Sequence, residues 1–599
     1  MSDMPLWERR LRAPVQTLPR WSPERPDRCV YETNASGIWQ VHVWDVATGE
    51  RRQVSDHPVG VREGHLTPDG SEAIFWQEDT GDETGAWIAQ PFEGGGSEPF
   101  LEGAPRGWND GIAQRAGVIA VGISTQDGAF AVFTSVDGEP LREIASSQQW
   151  LGIAGEEHNA DLAGLSADGS LVALSHADHG NVTHPALRIV EPSGAVVAER
   201  GDGTAAVMAT AWSPVPGDQR LAVTHEPEDR QRVAIWDVAK DDWRELEVDV
   251  PGDHRVADWF PDADAVVLIA AMDGREELFK VDIDSGAATK IPSPPGSIAA
   301  ARVRPDGRVW FQHTDGVHRT RVLDDTGAEP IAVDTPAPPG RPFQDWRFQN
   351  DHGQEVHGWI VEPDGDGPHP LMVFVHGGPY WLYDDHYMPE VQAYVDLGFM
   401  VAMPNYRGST GYGRAWRDAL TGDPGFTDVD DVTAGLRDLL ARSDVDPTRV
   451  VVAGWSWGGY ITLMELGRNP DLWTAGVAGI PVGDYVMAYE EEAPSLQAMD
   501  RALFGGTPEE KPDLYERSNP ITYADNVDAP VLFVIGENDS RCPLGQALAY
   551  VDKLAERNAP HEVYRFGTGH GSAVSDEDVR QIGAILAFLD KTVPGLQPV

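Results

Sequence analysis

Short apolar runs recur along the first half of the chain, and most of them follow a brief turn-forming phrase such as Trp-Ser-Pro or Leu-Thr-Pro-Asp-Gly. The second residue of the phrase falls at positions 22, 67, 166, 213, 260 and 304. The intervals are 45, 99, 47, 47 and 44 residues, and Gln114 stands where the interval of 99 would be divided. The spacing predicts seven repeats of about 45 residues, which is the length of a β-propeller blade.

Each repeat contains several strand-like runs separated by turn residues. Runs at 73–76, 171–174 and 220–223 follow the phrase, and later runs at 41–44 and 278–281 lead into turns that contain glycine. Four short strands in each repeat are typical of a propeller blade. A pair of packed sheets would not repeat at a fixed period. We therefore predict an N-terminal extension over residues 1–16 and a seven-bladed β-propeller over residues 17–335.

The pattern changes after the proline-rich segment 333–342, which is typical of a stiff linker. Beyond it, single apolar runs alternate with helical patterns near 428–442, 457–468 and 576–590. The apolar runs lie at 371–375, 399–403, 450–453, 531–535 and 563–566. This alternation predicts a mostly parallel, doubly wound sheet with helices on both faces, which is the architecture of an α/β-hydrolase domain over residues 336–599.

A nucleophile motif stands between a predicted strand and a predicted helix. Residues 450–453 are an apolar strand, residues 454–458 read Gly-Trp-Ser-Trp-Gly, and a helical pattern follows. Small residues on both sides of Ser456 permit the sharp turn that presents a serine hydroxyl above the sheet. The start of the following helix favours negative charge. We predict that Ser456 is a catalytic nucleophile rather than part of a structural turn.

A serine nucleophile needs a base and an acid that orients the base. In α/β-hydrolases the order along the chain is serine, acid, histidine, and the acid and histidine follow the carboxyl ends of strands. Glu537 and Asp539 follow the strand at 531–535, and His570 follows the strand at 563–566 between two glycines. His561 precedes its strand and lies at the wrong end. The residues alone leave Glu537 and Asp539 open as the acid.

The negatively charged oxygen of an acyl-transfer intermediate needs prepositioned N–H donors. One donor is expected from Trp457, the residue after the nucleophile. The other is expected from the loop at 376–379, which reads His-Gly-Gly-Pro after an early strand. Proline has no N–H group, so we predict the amide of Gly378 as the second donor.

Composition excludes several classes of function. The chain has 599 residues and a formal net charge of −50, which argues against nucleic-acid binding and against a polybasic membrane-surface protein. Its apolar runs are too short to span a bilayer, and its first residues lack the apolar region of a secretory signal. Only two cysteines are present, 513 residues apart, which fits a reducing compartment. We expect a cytoplasmic protein without metal or cofactor, and the sequence leaves its oligomeric state open, a homo-oligomer included.

Five segments together resemble the prolyl oligopeptidase family of serine peptidases, most closely its acylaminoacyl-peptidase and dipeptidyl-aminopeptidase-like branches. In the order of the family, they are residues 376–379, 405–413, 454–460, 538–543 and 569–571. The resemblance is strong over residues 340–599, whereas for the first half it rests on the repeat architecture. It implies a triad of Ser456, Asp539 and His570, with Asp539 preferred over Glu537. It also implies oxyanion donors at Gly378 and Trp457, where Trp457 replaces the family's usual tyrosine.

The family resemblance implies a peptidase that acts on short peptides near their N-termini, with the propeller restricting access to the active site. An acylaminoacyl-peptidase-like preference for blocked N-termini is our first expectation, and a dipeptidyl aminopeptidase or a carboxylesterase is the alternative. The resemblance also suggests a substrate contact at Arg541. Glu156 and Glu157, or the acidic run at 490–492, are candidates for holding a free α-amine, and Tyr485 for an apolar pocket wall. A non-catalytic propeller scaffold is disfavoured by the intact order of the triad.

Overall fold

Seven small antiparallel units follow one another along the first half of the chain. The computed structural model describes residues 4–155 and 160–596. The first three units contain β1 (Arg20–Trp21), β2 (Arg28–Thr33), β3 (Gln40–Asp45) and β4 (Arg51–Gln53); β5 (Gly64–Leu66), β6 (Glu72–Glu78), β7 (Thr84–Pro91) and β8 (Glu98–Pro99); and β9 (Gly107–Arg115), β10 (Val118–Ser124), β11 (Phe130–Val136) and β12 (Arg142–Ser147). The second and third units join into one eight-stranded sheet, because β7 pairs with β9.

The remaining four units are separate sheets. They contain β13 (Leu151–Ile153), β14 (Val172–His176), β15 (Ala186–Val190) and β16 (Val196–Arg200); β17 (Val207–Trp212), β18 (Arg220–His225), β19 (Arg232–Asp237) and β20 (Asp242–Glu245); β21 (Asp253–Trp259), β22 (Ala265–Met272), β23 (Arg275–Asp282) and β24 (Ala288–Ile291); and β25 (Ser297–Val303), β26 (Val309–Thr314) and β27 (Arg321–Asp324). The predicted seven-bladed propeller is confirmed.

The repeated phrase has one structural position in most blades. It forms the turn that follows the first strand, as at Ser22 after β1, Ser213 after β17 and Arg304 after β25. The fourth blade differs, because the short helix α2 (Ala160–Ala163) separates β13 from the phrase at Ser166. This insertion explains why the interval from Gln114 to Ser166, 52 residues, is longer than the other intervals between neighbouring blades.

The chain before β1 connects the first and last blades. Gln16 forms a bridge with Thr33 of β2, and its side chain donates to the carbonyl of Ile331 at 2.7 Å. Gln312 of β26 in turn donates to the carbonyl of Gln16 at 3.1 Å. The ring of blades is therefore closed by hydrogen bonds to a residue that we placed in the N-terminal extension.

The second half is built on one eight-stranded sheet, in the order β28-β29-β31-β30-β32-β33-β34-β35. Its strands are β28 (Gln344–Gln349), β29 (Glu355–Val361), β30 (His369–Val375), β31 (Met400–Pro404), β32 (Val445–Trp455), β33 (Ala475–Gly479), β34 (Val531–Gly536) and β35 (His561–Phe566). The six strands from β30 to β35 are parallel to one another, whereas β28 and β29 form an antiparallel hairpin at one edge. The predicted mostly parallel sheet is confirmed.

Helices cover both faces of this sheet. They are α3 (Pro389–Asp396), α4 (Arg414–Asp418), α5 (Thr427–Leu440), α6 (Trp457–Arg468), α7 (Tyr485–Glu491), α8 (Pro494–Phe504), α9 (Pro512–Arg517), α10 (Leu544–Glu556) and α11 (Ser575–Thr592), with 3-10 turns at Pro470–Leu472 and Pro520–Asn526. Leu371 and Val373 of β30 pack on the face covered by α5 and α6, and Met372 packs on the face of α3 and α11. In the described residues, no helix is long and apolar enough to cross a membrane.

The N-terminal extension packs on the hydrolase domain. Its helix α1 (Leu6–Arg12) buries Leu11 in the core shared with α3 and α11. The buried guanidinium of Arg10 forms an ion pair with Asp396 at the end of α3 and donates to the carbonyl of Pro339. The start of the chain therefore returns to the catalytic half, although the sequence separates them by the whole propeller.

Replacing Leu11 by alanine tests this packing. Leu11 is 8% exposed, so we expect Leu11→Ala to lower the free energy of unfolding by about 2–3 kcal/mol, the cost of deleting a buried leucine side chain. The measurement is the midpoint of the thermal unfolding transition by calorimetry. Leu6→Ala, on the same helix but 39% exposed, is the matched control and should leave the midpoint nearly unchanged. Equal shifts in the two variants would contradict the proposed docking of α1.

Candidate active site

Ser456 occupies a strained turn between β32 and α6. Its φ is +58° and its ψ is −117°, a conformation that side chains rarely adopt. Glycines make the turn possible, because a Cβ at Gly458 would lie 2.0 Å from the carbonyl oxygen of Val375 and one at Gly454 would lie 2.6 Å from the same oxygen. The Ser456 amide donates to Gly479 at 2.9 Å, which anchors the turn to β33. The local backbone thus has the geometry that a nucleophile elbow requires.

Asp539 and His570 meet at the carboxyl ends of β34 and β35. The His570 Nδ1 atom lies 2.8 Å from Oδ2 and 3.0 Å from Oδ1 of Asp539. The Asp539 Oδ1 atom also accepts hydrogen bonds from the amides of Arg541 and Cys542, each at 2.8 Å. These contacts fix the carboxylate and orient the imidazole, as an acid does for a catalytic base.

The Cys542 thiol lies close to Asp539 and His570. Burial raises the pKa of the Cys542 thiol well above its usual range, the Asp539 and Glu492 carboxylates raise it further, and a hydrogen bond with the Ser456 side chain opposes the rise. The thiol is therefore protonated at neutral pH. Asp539, Cys542 and His570 offer ligand-type atoms within 4.8 Å of one another. Because Asp539 and His570 already use these atoms to bind each other, we assign no metal to them.

The loop after β30 lies directly against the nucleophile. A Cβ at Gly377 would stand 3.4 Å from the Cβ of Ser456 and 3.0 Å from the carbonyl oxygen of Trp455. Gly378 has a φ of +114°, which an L side chain rarely adopts. Trp457 is the first residue of α6, and amides in the first turn of a helix have no intrahelical partner. Both amides predicted to hold the oxyanion are therefore on segments adjoining Ser456.

Buried polar contacts hold this loop in place. His376 stacks on Tyr406 with ring centroids 4.3 Å apart, and its Nε2 atom lies 2.8 Å from the Ser409 hydroxyl. The Tyr406 hydroxyl donates to the carbonyl of His376 at 3.1 Å. Burial lowers the pKa of His376 to about 4, so the ring is neutral near pH 7. The segment 405–413 thus supports the oxyanion loop, a role that the sequence analysis did not assign to it.

A hairpin of the propeller completes the surroundings of the triad. The segment between β6 and β7 carries Glu83, whose carboxylate binds Arg541 at 2.5 and 3.0 Å and accepts from the Ser540 hydroxyl at 3.1 Å. Burial raises the pKa of Glu83, but the charge of Arg541 and the hydrogen bonds from Arg541 and Ser540 outweigh it, and the pKa is lowered. Glu83 has a φ of +66°, so the hairpin holds it in an uncommon conformation.

The same hairpin touches the loop that carries the base. A Cβ at Gly569 would lie 2.0 Å from the carbonyl oxygen of Gly81. A Cβ at Gly81 would lie 3.1 Å from the Cβ atom of Thr568. The Asn538 side chain donates to the carbonyl of Thr80 at 3.3 Å. Sequence reasoning missed this hairpin, because it lies more than 450 residues from the loops it contacts and carries no motif.

Arg541 and Tyr485, two of the residues predicted to contact substrate, have partners within the protein. Arg541 lies beside Asp539, but its guanidinium is on Glu83. Tyr485 is 2% exposed and belongs to an aromatic core cluster, with its hydroxyl donating to Asp500 at 3.0 Å. Tyr485 therefore packs within the core and does not form the exposed pocket wall that we predicted. Glu156 and Glu157 lie outside the described residues.

Comparison with known proteins identifies the second half. Residues 385–595 match the model of the prolyl oligopeptidase family. The matched range contains Ser456, Asp539 and His570. This part of the chain is a prolyl oligopeptidase family domain, and the family resemblance noted from the sequence is confirmed.

Curated relatives match part of the chain. It is 31% identical over 224 residues to an uncharacterized peptidase, YuxL, of Bacillus subtilis, covering 37% of this chain and 34% of that protein. It is 28% identical over 329 residues to the acylamino-acid-releasing enzyme of Sus scrofa, covering 50% of this chain and 45% of that enzyme. The matched segments thus span less than half the length of these relatives.

Solved structures match the whole architecture. A puromycin hydrolase has a TM-score of 0.81 at 21% identity, with 100% of this chain and 99% of that chain covered. The acylaminoacyl peptidase of Pyrococcus horikoshii has a TM-score of 0.71 at 17% identity, with 98% and 97% covered. At these identities the likeness establishes the fold: a propeller followed by an α/β-hydrolase domain.

The contact between Gly81 and Gly569 can be tested without touching the triad. Because its Cβ would collide with the backbone of the propeller hairpin, Gly569→Ala should displace the His570 loop. We expect the rate of fluorophosphonate labelling of Ser456 to fall by about ten- to a hundredfold, as small displacements of catalytic groups do. Gly567→Ala is the matched control, since its Cβ would meet nothing within 4 Å. Labelling at the wild-type rate in Gly569→Ala would show that the hairpin does not position the base.

Proposed function

We propose that this chain is a serine peptidase that hydrolyses short peptides near their N-termini through Ser456, His570 and Asp539. The observation that carries the proposal is the pairing of His570 Nδ1 with the Asp539 carboxylate at 2.8 Å, on loops that follow adjacent strands beside the Ser456 turn. A histidine oriented by a buried carboxylate near a strained serine is the arrangement used for acyl transfer.

The proposed reaction proceeds in two halves. His570 Nε2 takes the proton of the Ser456 hydroxyl as the serine oxygen attacks the carbonyl carbon of the scissile amide. The resulting oxyanion accepts hydrogen bonds from the Gly378 and Trp457 amides. His570 then protonates the leaving amine, which departs and leaves an acyl ester on Ser456. A water molecule then attacks this ester as His570 takes one of its protons. His570 returns the proton to the Ser456 oxygen as the ester bond breaks, which releases the carboxylic acid and regenerates the free serine.

The propeller is proposed to control which substrates reach the serine. Its hairpin lies over the loops of Asp539 and His570, and further contacts tie the two domains together at several places. Arg417 of α4 forms a buried ion pair with Glu226 of the propeller at 2.6 and 3.1 Å. The amide of Trp39 donates to the carbonyl of Ala573 at 2.9 Å. An active site enclosed in this way admits short, unfolded peptides and excludes bulk water.

The likeness to acylamino-acid-releasing enzymes supports an acylaminoacyl-peptidase-like preference as the first candidate for specificity. Such a preference requires an uncharged surface at the substrate N-terminus. A free α-amine would instead require nearby carboxylates, as in a dipeptidyl aminopeptidase. The two preferences are therefore separated by substrates that differ only in N-acetylation.

A nitroanilide panel tests the proposal. We expect the wild type to hydrolyse at least one of acetyl-Ala-, Ala- and Gly-Pro-p-nitroanilide, and Ser456→Ala to lose this activity by a factor of about 10⁴ or more, as triad variants do. A fluorophosphonate probe should label the wild type and not Ser456→Ala.

Ser572→Ala is a suitable control, because it removes a hydroxyl two residues beyond His570 and leaves the triad complete. It should retain labelling and hydrolysis. Turnover of a p-nitrophenyl ester without turnover of any amide would refute the peptidase assignment in favour of an esterase. Absence of labelling in the wild type would refute the catalytic role of Ser456.

A further inference from the structure

Two turns of the propeller that contact the hydrolase domain occupy the same position in their blades. Each turn joins the second and third strands of a blade: β6 and β7 in the second blade, and β18 and β19 in the fifth. Each carries a glutamate that binds an arginine of the hydrolase domain, Glu83 with Arg541 and Glu226 with Arg417. The first pair lies at the loop of the triad acid, whereas the second pair lies on α4, outside the triad.

The pair of Glu226 and Arg417 is buried and bidentate. Glu226 is 4% exposed and Arg417 is 9% exposed, and two guanidinium nitrogens donate to the two carboxylate oxygens at 2.6 and 3.1 Å. The amide of Ala206 also donates to the Glu226 carboxylate, at 3.3 Å. Bidentate pairing fixes the orientation of the two groups as well as their separation. Because a buried charge is costly without its partner, this contact constrains where α4 lies.

The same turn also binds the backbone of α4 and of the residues before it. The Arg414 amide donates to the carbonyl of Asp229, and the Ala415 amide donates to the Asp229 carboxylate, each at 2.7 Å. The side chain of Arg230 donates to the carbonyl of Gly411 at 2.9 Å. The turn of the fifth blade therefore holds α4 through several hydrogen bonds besides the ion pair.

α4 is in turn bound to the segment that supports the oxyanion loop. Trp416 is the neighbour of Arg417 in α4, and its carbonyl accepts a hydrogen bond from the Gly408 amide at 3.0 Å. The indole N–H of Trp416 donates to the carbonyl of Tyr406, also at 3.0 Å. Two hydrogen bonds from one residue thus fix this segment against α4.

The segment reaches the oxyanion loop at two points. Tyr406 stacks on His376, and its hydroxyl donates to the His376 carbonyl at 3.1 Å. The amide of Thr410 donates to the carbonyl of Trp381 at 3.0 Å. A Cβ at Gly378 would lie 3.2 Å from the Cβ of Trp381. The two contacts therefore lie on either side of Gly378, whose amide we predict to bind the oxyanion.

We propose that Glu226 is a positioning residue for the oxyanion hole. Its pair with Arg417 fixes α4, and α4 fixes the segment that holds the loop of Gly378. The proposal rests on the peptidase function proposed above, and it adds a propeller residue to the groups that determine the rate of acyl transfer. A displaced N–H donor stabilises the developing oxyanion less and changes the binding of the uncharged amide much less. Loss of Glu226 should therefore lower kcat far more than it changes KM.

Glu226→Gln removes the charge and keeps the size of the side chain. We expect kcat for the nitroanilide that the wild type cleaves to fall about ten- to a hundredfold, as small displacements of catalytic groups do. KM should change by less than about twofold. Asp273→Asn is the matched control, because Asp273 of the propeller also pairs with an arginine of the hydrolase domain, Arg347, at 2.8 Å. This pair lies on the edge strand β28, so the control should change neither parameter.

Transition-state analogues separate positioning from a general loss of structure. In a peptide trifluoromethyl ketone, the Ser456 oxygen bonds to the carbonyl carbon, the serine proton passes to His570, and the oxyanion occupies the site of the reaction intermediate. We expect Glu226→Gln to raise the inhibition constants of the acetyl-Ala, Ala and Gly-Pro ketones by the factor that it lowers kcat/KM. Calorimetry on Ser456→Ala should show equal binding of the matching peptide amides with and without Glu226→Gln.

A double variant tests whether the two residues act as a unit. Arg417→Gln removes the other partner, and the variant that combines it with Glu226→Gln leaves no unpaired charge between the two side chains. Because residues in direct contact are not additive, the double variant should lose no more activity than the more impaired single variant. Additive losses would contradict positioning through this pair.

The ketone measurements decide the proposal. Unchanged ketone inhibition in Glu226→Gln would overturn the positioning role and leave the peptidase function intact. Ketone binding that weakens only in step with amide binding would overturn it as well, because it would show a purely structural role. A wild type that none of the ketones inhibits would refute the catalytic role of Ser456, and the positioning role with it.

Discussion

The loops that carry Asp539 and His570 are in close contact with a propeller hairpin, and the proposed catalytic geometry depends on this contact. The backbone at Gly81 lies so near Gly569 that no side chain fits between them, and Glu83 binds both Ser540 and the guanidinium of Arg541. The loops of Asp539 and His570 are therefore held from outside their own domain. The wider interface, including the buried pair of Arg417 and Glu226, keeps this contact in register.

Several buried carboxylates are paired with arginine, and others accept hydrogen bonds from neutral donors. In a chain with a formal net charge of −50, buried carboxylates need partners: Glu226 is paired with Arg417 and Asp431 with Arg407. Asp500 accepts a hydrogen bond from the Tyr485 hydroxyl at 3.0 Å, and burial together with the Asp500 charge raises the pKa of Glu492. Buried carboxyl groups next to a reactive site are often functional, because their environment has been arranged to shift their pKa values.

The sequence predicted those parts of the molecule that local patterns determine. The blade spacing and the parallel strands were both readable, because turns and apolar runs recur with a fixed period or alternate with helices. Ser456, Asp539 and His570 each follow the end of a strand, so their neighbourhood was predictable from strand order. In the missed hairpin β28–β29, β28 alternates exposed polar and buried aromatic residues at the sheet edge and so lacks the continuous apolar run of the central strands. Glu83 was missed because its partners, Ser540 and Arg541, are distant in the chain and no spacing indicates them.

The most direct test of the central claim is to trap the covalent intermediate. An acid quench during turnover of an activated acyl ester or peptide nitroanilide, followed by peptide mapping with mass spectrometry, measures which side chain carries the acyl group. The account predicts a mass increase equal to that of the acyl group on the peptide that contains Ser456, absent from Asp539→Asn under the same short exposure. Turnover without an acyl adduct, or with the adduct on another residue, would contradict it.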